Sequence, residues 1–196
     1  MLNQLIAHRR KNMIYNYCPM CGRKLHMIEV GDDGMMPKCD DCNKVWFDTF
    51  DCSVAVLTYN EFNEIVLQME DFYSKKYGIF TYGHIVTGET PEQAAVREVK
   101  EEIGQDIEKI TYVGSYWTRN KETLLHCFLG FTHKAPITVS KEIRSAEWVP
   151  VLNAPERMYP ENPTNTMYPL YRKLLELLDI PDPTDTPIEE RAFYNK

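Results

Sequence analysis

Long apolar runs are missing from this 196-residue chain. The longest aliphatic stretch, Val54-Ala55-Val56-Leu57, falls far short of the roughly 20 residues a membrane-spanning helix requires. Positive charge is scarce as well: 22 Lys and Arg face 29 Asp and Glu, a net charge of −7. That balance argues against bulk electrostatic capture of nucleic acid, although a local basic patch stays compatible with it. No apolar stretch follows the basic run His8-Arg9-Arg10-Lys11, so no secretory signal is expected. Internal repeats and low-complexity tracts are absent, which removes collagenous and array architectures. What is present, 43% hydrophobic and 26% charged residues, suits one packed domain, or one domain with a small metal-stapled companion.

Six cysteines divide into a pattern of four and a remainder of two. The four are Cys18-Pro19-Met20-Cys21-Gly22 and Cys39-Asp40-Asp41-Cys42, with 17 residues between the pairs. This is the spacing of a four-thiolate zinc site, in which each Cys-x-x-Cys turn places two sulfurs on one side of a knuckle. Proline fixes the turn and Gly22 permits the positive φ of the exit. Zinc closed by four thiolates has no position for water, so the expected role is structural. The alternative, two disulfides in a secreted protein, lacks a secretion signal to support it. Cys52 and Cys127 lie in apolar contexts and read as buried small hydrophobes. Unpaired thiols of this kind point to a reducing, cytoplasmic location.

Residues 1–13 read as a basic arm, 14–50 as the zinc ribbon, 51–180 as the main domain and 181–196 as a loose tail. Within the ribbon, strands are expected near residues 24–30 and 45–47, with a turn at Gly31-Asp32-Asp33-Gly34. In the main domain, residues 53–59 and 64–70 form a predicted hairpin around Asn60 and Asn63. Residues 79–86, 110–117, 123–132 and 146–150 are further extended stretches. One helix carries explicit punctuation: Thr90 as N-cap, Pro91 at the first position, Gln93 closing a capping box and Gly104 ending it. A second helix spans Met167–Leu178, with Leu170, Leu174, Leu175, Leu177 and Leu178 on its apolar side. Strands interleaved with two helices make the chain α/β or α+β, with mixed strand pairing.

The chemistry concentrates on the first helix. Glu98, Glu101 and Glu102 share one sector, because positions i, i+3 and i+4 lie on one face, while Ala95, Val99 and Ile103 define a different, core-facing stripe. Carboxylates so spaced repel one another unless compensated, and a hard divalent cation such as Mg²⁺ or Mn²⁺ would compensate them. A solvated acidic face is the alternative. The flanks decide between the two. From Gly83 to Gly104 the chain carries Gly83, Glu89, Arg97, Glu98, Val99, Glu101, Glu102 and Gly104 in the order glycine-x5-Glu-x7-Arg-Glu-aliphatic-x-Glu-Glu-x-Gly. This resembles the Nudix box; Gln105 stands at the final aliphatic position, with Ile107 two residues on. Arg97 reads as an orienter of carboxylates, including Glu89.

A four-cysteine ribbon ahead of such a box is similar to the layout of the NADH pyrophosphatase, or NudC-like, subgroup. The likeness extends to Tyr112-Val113-Gly114-Ser115 and to residues 141–148, and covers roughly residues 16–178. It implies the Nudix fold, a mixed β-sheet sandwiched between helices. It also implies metal ligation by Glu98, Glu102, Glu142 and the backbone carbonyl of Tyr82, with Glu101 as supporting ligand or base, and assembly as a homodimer. The subgroup's Ser-Gln-Pro-Trp signature is replaced here by Ser115-Tyr116-Trp117-Thr118. Tyr116, Trp117 and His84 are therefore candidates to hold a base, against the alternative that the two aromatics are alternating strand residues with one in the core.

The function expected from these residues is metal-dependent hydrolysis of a pyrophosphate bond in NAD(H), ADP-ribose or a related dinucleotide, releasing a nucleoside monophosphate. Removal of an NAD cap from RNA is the alternative reaction, with Arg9, Arg10 and Lys11 available to a phosphate backbone. A non-catalytic nucleotide sensor is the alternative class, and it would be free to lose the box carboxylates that this chain retains. A nucleic-acid-binding ribbon is disfavoured, since Arg23, Lys24, Lys38 and Lys44 face seven acidic residues between Cys18 and Asp51.

Overall fold

Residues 15–47, 49–118, 123–162 and 165–184 are described in the computed structural model of this protein, which divides into two units, Met1–Phe50 and Asp51–Lys196. The smaller unit is an antiparallel sheet of β1 (His26–Val30), β2 (Gly34–Cys39) and β3 (Lys44–Val45), in that order. Gly22 leaves the first knuckle at φ 73°, and Asn43 reverses the chain after the second at φ 48°. β2 is an addition to the expected ribbon. Its sequence, Gly34-Met35-Met36-Pro37-Lys38-Cys39, lacks β-branched residues and holds a proline, so nothing local marks it as a strand. It forms because β1 and β3 flank it, Met27 pairing with Pro37 and Val45 with Lys38.

In the larger unit the organising element is β4 (Asp51–Tyr59), buried on both faces. Ala55, Leu57 and Tyr59 point into one apolar cluster and Val54 and Val56 into the other, the alternation a pleated strand imposes. β4 runs parallel to β8 (Thr123–Phe131) along its whole length and antiparallel to β6 (Thr81–His84) on its other side. The expected hairpin with β5 (Glu64–Met69) is present but splays: β4 and β5 pair only at Tyr59 and Ile65. The Asn60 side-chain oxygen accepts from the amides of Phe62 and Glu64 (2.9 and 3.1 Å), which closes the turn. The outer strands are β7 (Lys109–Trp117) against β8 and β9 (Ser145–Pro150) against β5, giving the order β7-β8-β4-β5-β9.

Helix α1 (Pro91–Ile103) covers one face through Ala94, Ala95, Val99 and Ile103, and α2 (Met167–Leu178) the other through Leu170, Tyr171, Leu174 and Leu175. This is the mixed sheet between helices expected from the sequence. The Thr90 hydroxyl and the Gln93 side chain make a reciprocal capping box, and Gly104 ends α1 at φ 72°. Gln105 is buried and donates to the Pro136 carbonyl (3.0 Å), while Ile107 supplies the apolar contact nearby by packing against the α1-side cluster.

Three expectations are adjusted. Pro150, Pro155, Pro160 and Pro163 predict an irregular loop after the last strand, whereas Val151–Glu156 is a 3-10 helix. Cys127 is fully buried, its thiol pushed up to about 12 by burial, but Cys52 at the start of β4 is only half-buried. The packed body also continues past residue 180, because Asp182 binds Arg172 (3.0 Å) and Pro183 is buried. The basic arm, including Arg9, Arg10 and Lys11, and residues 185–196 lie outside the described residues. Among the described residues no helix is long and apolar enough to cross a membrane.

Candidate active site and metal centre

In the smaller unit Cys18, Cys21, Cys39 and Cys42 bring their four sulfurs within 4.8 Å of one another. Cys18 and Cys42 sulfurs lie 3.9 Å apart, and Cys21 and Cys39 sulfurs 3.5 Å apart. A tetrahedron with Zn–S bonds of about 2.3 Å has edges of about 3.8 Å, so the donor set fits zinc in both chemistry and size. Burial raises the Cys18 thiol, but the amides of Cys21 and Met20 outweigh it and bring the pKa down to about 6. That thiolate is poised for a cation.

In the larger unit Arg97 is the hub. Its Nε and Nη2 clamp Glu89 (3.1 and 2.6 Å), its Nη1 reaches Glu98 (2.8 Å) and Glu101 (3.0 Å), and Nη2 also donates to the His84 carbonyl (2.9 Å). Glu89 accepts in addition from the Val86 amide (2.8 Å), so one guanidinium ties the loop after β6 to the helix. Arg97 holds Glu89 below the usual carboxylate range. Glu98 behaves differently, since burial raises its pKa more than Arg97 lowers it.

Gly83 explains where Glu98 sits. A Cβ at this position would collide with Glu98's Cγ, Cδ and Oε1, so only glycine lets that carboxylate lie flat against β6. The close approach that needs the glycine is made by a side chain of the same protein.

Glu102 is the most enclosed acid of the group, 7% exposed. Burial pushes its pKa up to about 8, opposed by the amide of Gln68 and aided by Glu70, Glu98 and Glu142. Gln68, fully buried on β5, donates from one Nε2 to Glu102 (2.7 Å) and to Glu70 (2.9 Å), while its oxygen accepts from Thr81 (3.1 Å). Glu142 arrives through the loop after β8. Ser140 and Thr138 donate to the carbonyls of Glu102 and Ile103 (3.0 and 3.2 Å), pinning the loop to the last turn of α1. Among the described residues only the cysteine set draws three or more ligand atoms within 4.8 Å, so the carboxylates stand near one another without that degree of convergence.

Hard oxygen donors, buried and short of counter-charge, are what a divalent cation of the Mg²⁺ class binds. Glu70 and Gln68 are absent from the sequence reading. The only available signal was two polar residues in succession on one face of a strand rich in aliphatic residues, and it does not distinguish a buried carboxylate pair from a solvated edge.

Beside these acids lies a cavity of about 470 Å³, bordered by Gly83 and His84 of β6 and walled by Tyr73, Tyr82 and Tyr159. Tyr73 stacks on Tyr82 (6.3 Å between centroids, 30° between planes). Burial raises the Tyr73 pKa, and Glu70 and Glu102 add to the effect. The Tyr82 hydroxyl is buried against Thr166. Of the three base-holding candidates only His84 borders this space. Tyr116 packs on the α2-side core, and Trp117, 47% exposed, points to the opposite face of β7.

A family model described as NUDIX domain matches residues 49–173. The chain is 30% identical over 156 residues to the NAD-capped RNA hydrolase NudC of Vibrio atlanticus, covering 76% of this chain and 54% of that protein. It is 24% identical over 168 residues to the protein of the same name from Vibrio vulnificus, covering 85% and 61%. It therefore spans only a little over half the length of these curated relatives. Among solved structures, a NUDIX hydrolase from Nitrosomonas europaea superposes with a TM-score of 0.64 at 17% identity, over 83% of this chain and 91% of that one, which is a likeness of fold.

Proposed function

This chain belongs to the NUDIX family, and from that premise we propose that it hydrolyses the pyrophosphate bond of an NAD-like dinucleotide. The observation that carries the reading is the set of Glu98, Glu102 and Glu70, partly or fully buried, with Glu98 lying against Gly83 at the border of a tyrosine-walled cavity large enough for a nucleoside. Water adds to one phosphorus, the bridging P–O bond breaks, and nucleoside monophosphate leaves.

Glu98, Glu102 and Glu142, with the Tyr82 carbonyl, are the groups that would hold Mg²⁺ or Mn²⁺. Such a cation shields the phosphate charge and acidifies a water. The chain's own residues supply the rest. Arg97 keeps Glu89 and Glu101 neutralised and aims Glu98; Gln68 fixes the Glu102 carboxylate; Tyr73, Tyr82 and Tyr159 offer ring faces to a base. Glu101 is the supporting ligand or base. Zinc on Cys18, Cys21, Cys39 and Cys42 staples the small unit. The reading extends to a cytoplasmic homodimer, supported by unpaired cysteines and by β7, whose outer edge calls for cover.

The second reading, removal of an NAD cap from RNA, is favoured by the names of the relatives in Vibrio. A hydrolysis screen with Mg²⁺ or Mn²⁺ over NAD⁺, NADH, ADP-ribose, dinucleoside polyphosphates, nucleoside triphosphates and NAD-capped RNA, with products identified, tests both. Turnover of nucleoside triphosphates alone would remove the dinucleotide assignment, and no turnover with intact folding would favour a sensor.

A further inference from the structure

Past Tyr73 and Tyr159 the surface opens into a second cleft of about 530 Å³. The same two rings wall both spaces, so the cleft adjoins the candidate substrate cavity. Its remaining sides come from Ser74, Lys75, Lys76 and Tyr77 and from residues 160–162. In a chain of net charge −7 the lysines here keep their field, because the neighbouring acids are engaged elsewhere. Asp71 binds Arg144 (2.6 Å), and Glu161 binds Arg172 (2.7 and 2.9 Å). Phe72, on the same segment, is 91% exposed and meets Tyr73 edge-on at 5.3 Å. The segment is held in shape: Ser74 Oγ accepts from the amides of Lys76 and Tyr77 (3.1 and 2.9 Å), and Arg144 donates to the Lys75 carbonyl (3.1 Å).

Resting on the dinucleotide reading above, we infer that this cleft receives the RNA strand that continues from a dinucleotide cap. Its first phosphates meet Lys75 and Lys76, and an unstacked base lies on Phe72. Cations interleaved with an exposed ring are the combination that holds single strands, the charges following the backbone and the ring accepting any base. The position is the second support, since the cleft begins where the cavity's tyrosine wall ends. A free dinucleotide stops short of it and gains nothing from it.

The test uses the full chain, a fluorescein-labelled single-stranded RNA of about ten nucleotides, a site of ordinary size for such proteins, and two substrates, NAD⁺ and the same RNA carrying an NAD cap. By fluorescence anisotropy, Lys75→Glu with Lys76→Glu should weaken RNA binding at least about tenfold and reduce the slope of log K against log salt by about 1.4. Phe72→Ala should weaken it about fivefold or more. Both variants should hydrolyse NAD⁺ within about twofold of wild type while losing capped-RNA kcat/KM by the binding factor. Equal losses on both substrates would make the segment part of the dinucleotide site and overturn the inference. So would RNA binding that is absent from wild type, unchanged in the variants, or matched by an acidic peptide of equal charge. Should wild type hydrolyse neither substrate, the dinucleotide reading falls by itself, and the anisotropy series still decides the cleft.

Discussion

Gly83→Ala separates site geometry from stability more cleanly than removing any acid. The backbone at Gly83 is not in the left-handed region, so alanine brings no dihedral strain. In a strand it should even gain about 0.5–1 kcal/mol over glycine through lower chain entropy. The added Cβ falls on Glu98's Cγ, Cδ and Oε1, so that side chain must swing off β6. What is lost is the 2.8 Å bond from Arg97, whose guanidinium keeps its bidentate grip on Glu89. A charge-assisted bond contributes about 1.5–3 kcal/mol, less where solvent screens it. The two effects nearly offset, and the melting temperature should move by no more than about 5 °C for a unit of this size. Activity should not survive, because the Glu98 carboxylate leaves the cluster; a fall of at least about a hundredfold in kcat/KM is expected. Differential scanning calorimetry and steady-state kinetics on one preparation read both quantities. Glu98→Gln should show a similar loss, and Gly83→Ala added to it should cost almost nothing further, since both act through one carboxylate. Full activity in Gly83→Ala, or additive losses in the pair, would refute the placement of Glu98.

Glu102→Gln should fold normally and lose turnover at least about a hundredfold; near-normal turnover at saturating Mg²⁺ would move the site elsewhere. Metal analysis should find one zinc per chain, and Cys39→Ser should raise hydrogen exchange within residues 15–47 while sparing α1 and β4; two disulfides and no zinc would end that assignment. Tyr73→Ala should raise KM for dinucleotides about tenfold, on the scale of one base–ring contact, while Trp117→Ala leaves it unchanged; the reverse pattern would put the base on β7. Lys134, aided by Asn60, holds Glu64 below its ordinary pKa, so this pair stabilises the fold above about pH 4.5 and the contribution fades as pH falls through the lowered value. Glu64→Gln should therefore flatten the acid limb of the melting curve by about 1 kcal/mol or less, and an unchanged limb would contradict the coupling.

Helix α1 was legible because its signals are local: the cap, the proline, the box glutamine and the closing glycine all act within one turn of the ends they define. Arg97's carboxylate contacts were legible for the same reason, with partners one, four and eight residues away. Gln68 was not, because its meaning lies 34 residues off in Glu102. A polar residue on a strand reads as solvent-facing until the opposing helix is known. The tyrosine wall was hidden likewise, since Tyr73, Tyr82 and Tyr159 come from three separate segments. Tyr116 and Trp117 illustrate the converse. Neighbours on a strand face opposite sides, so one wall could never have used both. β2 stayed hidden because its pairing is supplied by its neighbours and not by its own residues.

The acids of the box, with Glu70 on the facing strand segment, fall into two electrostatic classes. Glu89 is matched by the Arg97 guanidinium and Glu101, exposed, reaches the same group; neither needs another cation to be stable as drawn. Glu102 and Glu70 share a single amide hydrogen-bond donor between them, and Glu98's burial outweighs its link to Arg97. Leaving three enclosed carboxylates under-compensated costs the fold free energy, since buried charge without a partner is expensive. A structural role would be served as well by glutamine or leucine at these positions. On the function proposed above, the arrangement is held ready for charge from outside, a cation first and then the polyphosphate that cation brings with it. Arg97 makes this possible by absorbing the two acids that would otherwise compete. Replacing it by lysine should free Glu89 and loosen the loop of residues 85–88 while leaving Glu102's burial and its Gln68 bond in place.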